Sequence, residues 1–514
     1  MAETSYKPRT SLLGGDTSRR SLFGRRTPAE TLAISGGLLL GALIAVAGSS
    51  PAAWVLGFFV AAVPVGLVYL PGHGTERHLY QWLPVRWMFR RRKKNGQDVY
   101  RSGAAQAGVL VDTGSPVAVQ PPEAVGKVRW LSFQRPGDGP LAILLHENRG
   151  DPFLTAVLEI AGSATGLRDD AVYDGDAERF GLLLAEIANG DSLIDGVQML
   201  NRVLPIDPTE HARFVEESAN PNAPTELHES YAELTVLTEQ RAEQHRNYVV
   251  LRVPVDHEFL GRAQDYGKGD VGFTALMAEE VWQFAELCQG AGIQVLSGLG
   301  PVRLAALLRS LYDPDFPIDY QAGANPQSCW PQKTTDELDY LLVNDRWFHR
   351  VAHIPADAWP HEPVNMAWLQ PLLTAVHPAT LRVMTVLMDL HPAGEARDRA
   401  VRDLTYDVAN AREQEKRGKI SDGSELTQLS QAQQRIEDIR EARAGGVTAT
   451  AYVVVTARSE REVARASRRI ANAARACGIT GLDWLRCEHS RGFVNTLPLF
   501  RGLRRPKPVR GRMG

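Results

Sequence analysis

The chain has 514 residues, of which 44% are hydrophobic and 23% charged, and a formal net charge of −3. That length has room for two or three domains with ordinary cores, and a balance so near neutrality excludes a global field that would gather nucleic acid. The four cysteines, Cys288, Cys329, Cys477 and Cys487, form no CxxC pair and have no His at ligand spacing, so neither a disulfide framework nor a zinc site is expected.

Residues 1–30 read as a polar, basic tail carrying Lys7, Arg9, Arg19, Arg20, Arg25 and Arg26. Residues 31–70, TLAISGGLLLGALIAVAGSSPAAWVLGFFVAAVPVGLVYL, contain no Asp, Glu, Lys or Arg. This run is about twice the ~20 residues one membrane span needs. Gly48-Ser49-Ser50-Pro51 breaks it with a tight turn, which predicts a transmembrane hairpin with spans over about 32–47 and 52–70. A cleaved signal peptide would have one shorter apolar core and no second span behind it.

Residues 71–125 read as a basic interfacial segment and linker. In HLYQWLPVRWMFRRRKKN, aromatic residues stand beside a cationic run, the chemistry of a segment lying at the headgroups of anionic lipid. Trp82, Trp87, Arg90, Arg91, Arg92, Lys93 and Lys94 are the candidate membrane-interface residues, and membrane lipid is the expected partner. Both flanks of the hairpin are basic. The positive-inside rule therefore places both termini and all of 71–514 in the cytoplasm, as a multi-pass protein of the inner membrane. The Pro- and Gly-containing stretch 112–127 reads as a linker.

The remainder predicts an α+β fold, with a cytoplasmic region of two ferredoxin-like, split βαβ halves. In the first half, 126–325, PLAILLHEN and FLTAVLEIAG read as strands, AERFGLLLAEIAN as a helix and SLIDGVQMLNRVLP as a strand. PTELHESYAELTVLTEQRAEQ reads as an inserted helix, HRNYVVLRVP as a strand, about 274–289 as a helix and IQVLSG as a strand. In the second half, 326–500, VNDRWFHRVAHIP reads as a strand, VNMAWLQPLLTAV as a helix and TLRVMTVLMDL as a strand. A charged helical pair is expected over 395–443, followed by the strand TATAYVVVTA, the helix SEREVARASRRIANAARACG and the strand ITGLDWLRC. Residues 501–514 form a basic tail.

Three stretches imitate catalytic or binding motifs. Gly190-Asp191-Ser192-Leu193 spells the GDSL block of an esterase family, whose Ser needs a His base. The block here follows a helix and opens a strand, the reverse of that family's context, and reads better as a turn. GRAQDYGKGD, 261–270, has one residue too many between its glycines for a phosphate loop, and Gly269 stands where Ser or Thr must be. His349 and His353 lie on an alternating, strand-like segment with no Glu between them, and read as same-face structural residues. No catalytic residue, cofactor or metal is expected.

The order from RWFHRVAHIPADAWP through WLQPLLTAVHPATLRVMTVLMDLHPAGEARDRA, the charged pair and ATAYVVVTARSEREVARASRRIANAARACGITGLDWLRCEHSRGFVNTLPL resembles the amino-terminal, non-catalytic domain of VirB/TrbE/CagE/TraC-type conjugation ATPases. The match covers roughly 126–500, and in that family the closing segment leads into the ATPase core. The first hundred residues resemble the two-span PrgI-like inner-membrane subunit. The combination looks like a membrane component of actinobacterial type IV secretion or conjugation. It implies docking of a separate VirB-type secretion ATPase at the membrane, other channel subunits as partners, no direct nucleic-acid binding, and leaves a homo-oligomer open. A different class stays open beside it. EccE-like components of type VII secretion also place two spans before a cytoplasmic α/β domain, while the enzyme alternative rests on the GDSL spelling alone.

Overall fold

The computed structural model describes residues 28–502 apart from 49, 71, 73–76, 103–119, 138, 149, 163–168, 206–208, 219, 221–222, 240–241, 317, 320–323, 356–357, 361–363, 396 and 399–445. Most of the charged helical pair expected over 395–443 therefore lies outside the described residues, as do nearly all of both basic tails.

Two apolar helices open the fold, α1 (Pro28–Gly48) and α2 (Pro51–Tyr69), both long and apolar enough to cross a membrane. The Ser50 side chain accepts from Ala53 N and Pro51 takes the first turn, where its missing N–H costs nothing. The two helices meet along small residues. A Cβ at Gly57 would lie 2.5 Å from the Gly41 carbonyl oxygen, one at Gly37 would lie 2.6 Å from Pro64, and Ala45 packs against Gly57. A third helix, α3 (Leu79–Lys94), follows and leads to the short strand β1 (Val99–Arg101).

The first half then runs β2 (Val128–Phe133), β3 (Leu141–His146), β4 (Phe153–Ile160), α4 (Asp170–Asn189), β5 (Gly196–Pro205), α5 (Thr209–Ser218), α6 (Thr225–Glu239) and β6 (Glu243–Pro254). It closes with α7 (His257–Tyr266), α8 (Asp270–Gly290), β7 (Val295–Gly298) and α9 (Pro301–Tyr312). The second half comprises β8 (Lys333–Asp336), β9 (Leu341–Val343), β10 (Trp347–Ile354), α10 (Gln370–Leu373), β11 (Leu381–His391), β12 (Gly446–Ala457), α11 (Glu460–Ala476), β13 (Asp483–Trp484) and α12 (His489–Val494).

All these strands join one antiparallel sheet in the order β1-β8-β9-β10-β12-β11-β5-β6-β4-β3-β2, with β13 also on β10 and β7 also on β4. Within it β7-β4-β6-β5 lie side by side, and so do β13-β10-β12-β11. The halves are joined where β5 pairs with β11, from Gly196↔Asp389 to Val203↔Arg382. On one face, β5, β6, β10 and β12 share a single core with α9, α12 and Leu497–Phe500. On the other face α4, α7 and α8 cover the first half, and α11 covers the second through Val463, Ala466, Ile470 and Ala474.

Two expected elements are shorter than the sequence implied. Of VNMAWLQPLLTAV, only Gln370–Leu373 is helical, because Pro371 has no N–H to continue a helix and instead begins one. Of ITGLDWLRC, only Asp483–Trp484 pair, with His353 and Ala352. Ile479, Leu482, Leu485 and Cys487 are buried nonetheless, so an alternating apolar pattern here belongs to a loop wrapped over the core.

The segment TLPLF is held across the junction of the two halves. The fully buried Gln198 side chain on β5 accepts from Phe500 N at 2.8 Å and donates to Leu497 O at 2.8 Å and to Thr385 Oγ1 of β11 at 3.0 Å. Any side chain at Gly196 would overlap the Phe500 ring, which requires glycine at that position.

Candidate membrane interface

The candidate interface residues all lie on α3. Trp82 and Phe89, seven residues apart and so on one helical face, are both buried at 6% exposure. Trp82 sits under the Gly72 turn, whose backbone bonds Gly72 N to Arg77 O, while Leu79 N donates to Leu70 O. The start of α3 is thereby fastened to the end of α2, and the Tyr80 hydroxyl bonds Glu30 at the start of α1. Both ends of the helical hairpin meet at the base of α3.

Ion pairs clamp α3 and the turn before it to the second half of the fold. The Arg77 guanidinium donates to Asp483 at 2.7 Å and to Glu488 at 2.8 Å. Burial works to lower its pKa, but the Glu488 hydrogen bond and the Asp483 charge prevail and raise it. One end of α3 away, Arg92 donates to Asp336 at 2.9 Å and to Cys487 O at 3.2 Å. The Asp336 side chain, 5% exposed, also accepts from Ser490 Oγ at 2.8 Å. Burial raises its carboxyl above the ordinary range, against the opposing pull of Ser490 and Arg92. Lys93 pairs with Glu337 at 2.8 Å, and that hydrogen bond raises the ammonium.

The seven residues thus divide in two. Trp82 is interior, and Arg92 and Lys93 are engaged by carboxylates of the sheet region. Trp87, Arg90, Arg91 and Lys94 remain on the outer face, with Trp87 61% exposed and the Arg91 guanidinium 5.6 Å from its ring centroid. This outer face keeps an aromatic ring among cations, the composition that partitions to a headgroup layer. The last turn of α3 as a whole carries Arg91, Arg92, Lys93 and Lys94, which also complement the helix dipole. Composition alone did not reveal Arg77, Asp336, Glu337, Asp483 or Glu488 as the clamp.

The motif-like stretches have geometric roles. Ser192 of the GDSL block donates to the buried Glu280 carboxylate at 2.8 Å, and Leu193 N donates to the same group at 3.0 Å. A hydroxyl bonded to a carboxylate in this way pins the turn between α4 and β5. GRAQDYGKGD is the corner between α7 and α8, with Gly267 at φ 140° and Gly269 at φ 59°. A side chain at Gly272 would overlap the Ala263 carbonyl oxygen where the two helices cross. His349 bonds Thr456 Oγ1 at 2.9 Å and Tyr312 O at 3.1 Å, and His353 bonds Thr450 Oγ1 at 2.8 Å. All four cysteines are buried with free thiols, and among the described residues no group of His, Cys, Asp and Glu could hold a metal ion.

Compared with protein-family models and with curated proteins, the chain gives no match.

Proposed function

We propose that the chain is a non-catalytic inner-membrane component of a conjugative type IV secretion-like system, which docks a separate cytosolic secretion ATPase at the membrane. The observation that carries the membrane part is the sorting of side chains in α1 and α2. Small residues fill their contact, while Leu39 (72% exposed), Leu43 (65%), Trp54 (61%) and Phe58 (69%) point away from it. Water would drive these large groups into the contact, whereas hydrocarbon removes that drive and favours close approach of small residues. On this reading the hairpin spans the bilayer twice, both termini are cytoplasmic as the basic flanks require, and α3 lies at the inner headgroup layer.

The orders β7-β4-β6-β5 and β13-β10-β12-β11 support a pair of ferredoxin-like halves in tandem, the arrangement expected of the ATPase-type amino-terminal domain. A protein partner is favoured by α6, inserted between β5 and β6, on which Leu227, Leu234 and Leu237 are 61%, 58% and 54% exposed. Holding a motor at the channel raises its effective concentration there without new catalytic chemistry.

Two experiments test the proposal. Ser50→Cys is expected to react with an impermeant maleimide from outside intact cells, and Asn95→Cys only after permeabilisation. The native thiols are buried and add little background. Equal labelling of Asn95→Cys in intact cells would falsify the topology. The full chain is also expected to co-purify with a secretion ATPase of the same element, and deletion of 31–70 to leave that ATPase in the cytosol. An ATPase that reaches membranes equally well without this chain, and does not associate with it in extracts, removes the docking role.

A further inference from the structure

Between α3 and the segment that includes α12 lies a groove of about 240 Å³, lined by Val85, Trp87, Met88, Phe89, Arg91, Arg92, Gln97, Cys487, Glu488 and Arg491. It is smaller than the roughly 300–1,000 Å³ clefts that take drug-sized ligands. We infer that this groove binds the headgroup of an anionic phospholipid, with the guanidinium groups of Arg91 and Arg491 on the phosphodiester and the top of an acyl chain against Trp87, Val85 and Met88. The inference rests on the reading of α1 and α2 as a membrane hairpin, and deepens it by naming a discrete site and the side chains that hold the lipid.

Position comes first. Glu488 in the groove wall is bonded at 2.8 Å to Arg77, which stands eight residues beyond the end of α2 and holds the Gly72 turn. The groove therefore lies within about 24 Å of the base of the hairpin, since α3 itself is only 16 residues long at ~1.5 Å per residue.

Charge comes second. Three guanidinium groups and one carboxylate line the groove. Arg92 is spent on Asp336, and Glu488 is neutralised by Arg77 at 2.8 Å and approached by Arg491 at 3.7 Å. Arg491 is 62% exposed, and among the described residues Arg91 has no carboxylate partner, only the Trp87 ring. Two guanidinium groups, one from α3 and one from α12, line the same groove, and guanidinium is the side chain best suited to phosphodiester oxygens.

The lining chemistry comes third. One wall is apolar, from Val85, Trp87, Met88 and Phe89, which a free phosphate would not need. Burial pushes the Cys487 thiol up to about 11, so it is a neutral part of the lining.

The full chain, solubilised in a mild non-ionic detergent and titrated with phosphatidylglycerol or phosphatidylcholine, is read by native mass spectrometry for retained lipid. Phosphatidylglycerol is expected to be retained about tenfold or more over phosphatidylcholine. Arg91→Ala/Arg491→Ala, at two exposed positions, is expected to erase the preference, and Arg91→Lys/Arg491→Lys to restore most of it. Arg465→Ala/Arg468→Ala, an equal charge change at exposed positions of α11 outside both the groove lining and the outer face of α3, is expected to keep it. No preference in the wild type, or equal loss in both alanine pairs, overturns the site. Displacement of phosphatidylglycerol by glycerol 3-phosphate overturns lipid as the occupant. Alkaline extraction separates the two levels of the argument. A chain that stays with membranes yet shows no lipid preference loses only the groove, whereas a chain stripped from membranes loses the hairpin reading as well.

Discussion

Gln198 and Phe500, 302 residues apart, are joined by a 2.8 Å hydrogen bond from the Phe500 backbone N–H to the Gln198 side-chain oxygen, at the line where the two halves of the sheet meet. The same side chain reaches Leu497 O and Thr385 Oγ1, so one amide ties together β5, β11 and the closing segment. Gln198→Ala leaves the buried Phe500 N–H without its acceptor and takes one of two donors from Leu497 O, which keeps Leu499 N at 2.7 Å. The expected cost is about 1–3 kcal/mol, read as a lower unfolding midpoint of the detergent-solubilised full chain. A change within about 0.5 kcal/mol would show that water replaces the amide and that the junction does not depend on it.

Acidification is expected to destabilise the fold through two fully buried imidazoles. Burial lowers both His349 and His489 to about 3. His489 Nδ1 accepts from Val351 N at 3.2 Å, a bond that protonation of that nitrogen destroys. A depressed folded pKa means that the unfolded chain binds the proton first. The contribution is complete above the ordinary His value of about 6.5 and is lost as pH falls from there toward about 3. From pH 7 to pH 5 the pair accounts for a loss on the order of 4 kcal/mol, at ~1.4 kcal/mol per pH unit for each group below about 6.5. His349→Gln is expected to halve the slope of stability against pH; an unchanged slope would assign it to other groups.

Arg92→Ala removes the cation from a carboxylate that is 5% exposed. Breaking a buried pair costs about 3–5 kcal/mol, and because Arg92 is itself 26% exposed, about 2–3 kcal/mol is expected here. The sign with pH opposes that of the histidines. Asp336 already has a raised carboxyl pKa, and without Arg92 it rises further, so the folded state binds a proton that the unfolded chain does not. The deficit of the variant should therefore shrink as pH is lowered. The readout is limited trypsin cleavage at 90–94, faster in the variant at neutral pH and converging with wild type in acid.

Gly41→Leu and Gly57→Leu are expected to force α1 and α2 apart, because each backbone carbonyl occupies the place of the other residue's Cβ. Overpacking of this kind costs about 1–3 kcal/mol. Gly36→Leu, whose Cβ would meet nothing within 4 Å, is the matched control. Thermal inactivation in detergent should separate the first two from the third, and equal behaviour of all three would show that the hairpin is not packed through these glycines.

Periodicity in the sequence made most of the strands and covering helices legible, because β4, β6 and β12 carry apolar runs, β10 alternates and α11 carries a clean buried stripe. It was weaker where one residue redirects the chain, as at Pro371, and where an apolar loop imitates a strand, as over 479–487. The helix α9 is buried nearly all round and has no polar face to betray its period. The cationic outer face of α3 was readable from composition. Its clamp was not, since Arg77 and Glu488 are 411 residues apart and Arg92 and Asp336 are 244 apart, and nothing local marks which charges will meet.

The tie between Gln198 and Phe500 also sets an order of events during synthesis. At about 5–20 residues per second, the ribosome needs roughly 15–60 s to travel the 302 residues from one partner to the other. α1 and α2 have emerged long before, so on the proposed reading of them as membrane spans the nascent chain is already at the bilayer while the junction between the halves stands open, its apolar face uncovered until TLPLF arrives. Closing so distant a contact is slow in a sheet dominated by non-local pairing. With α1 and α2 in the bilayer as proposed, a cell that makes this protein must shield a half-finished sheet beside the membrane for roughly 15–60 s, and truncation before Leu497 should yield an anchored chain that aggregates there.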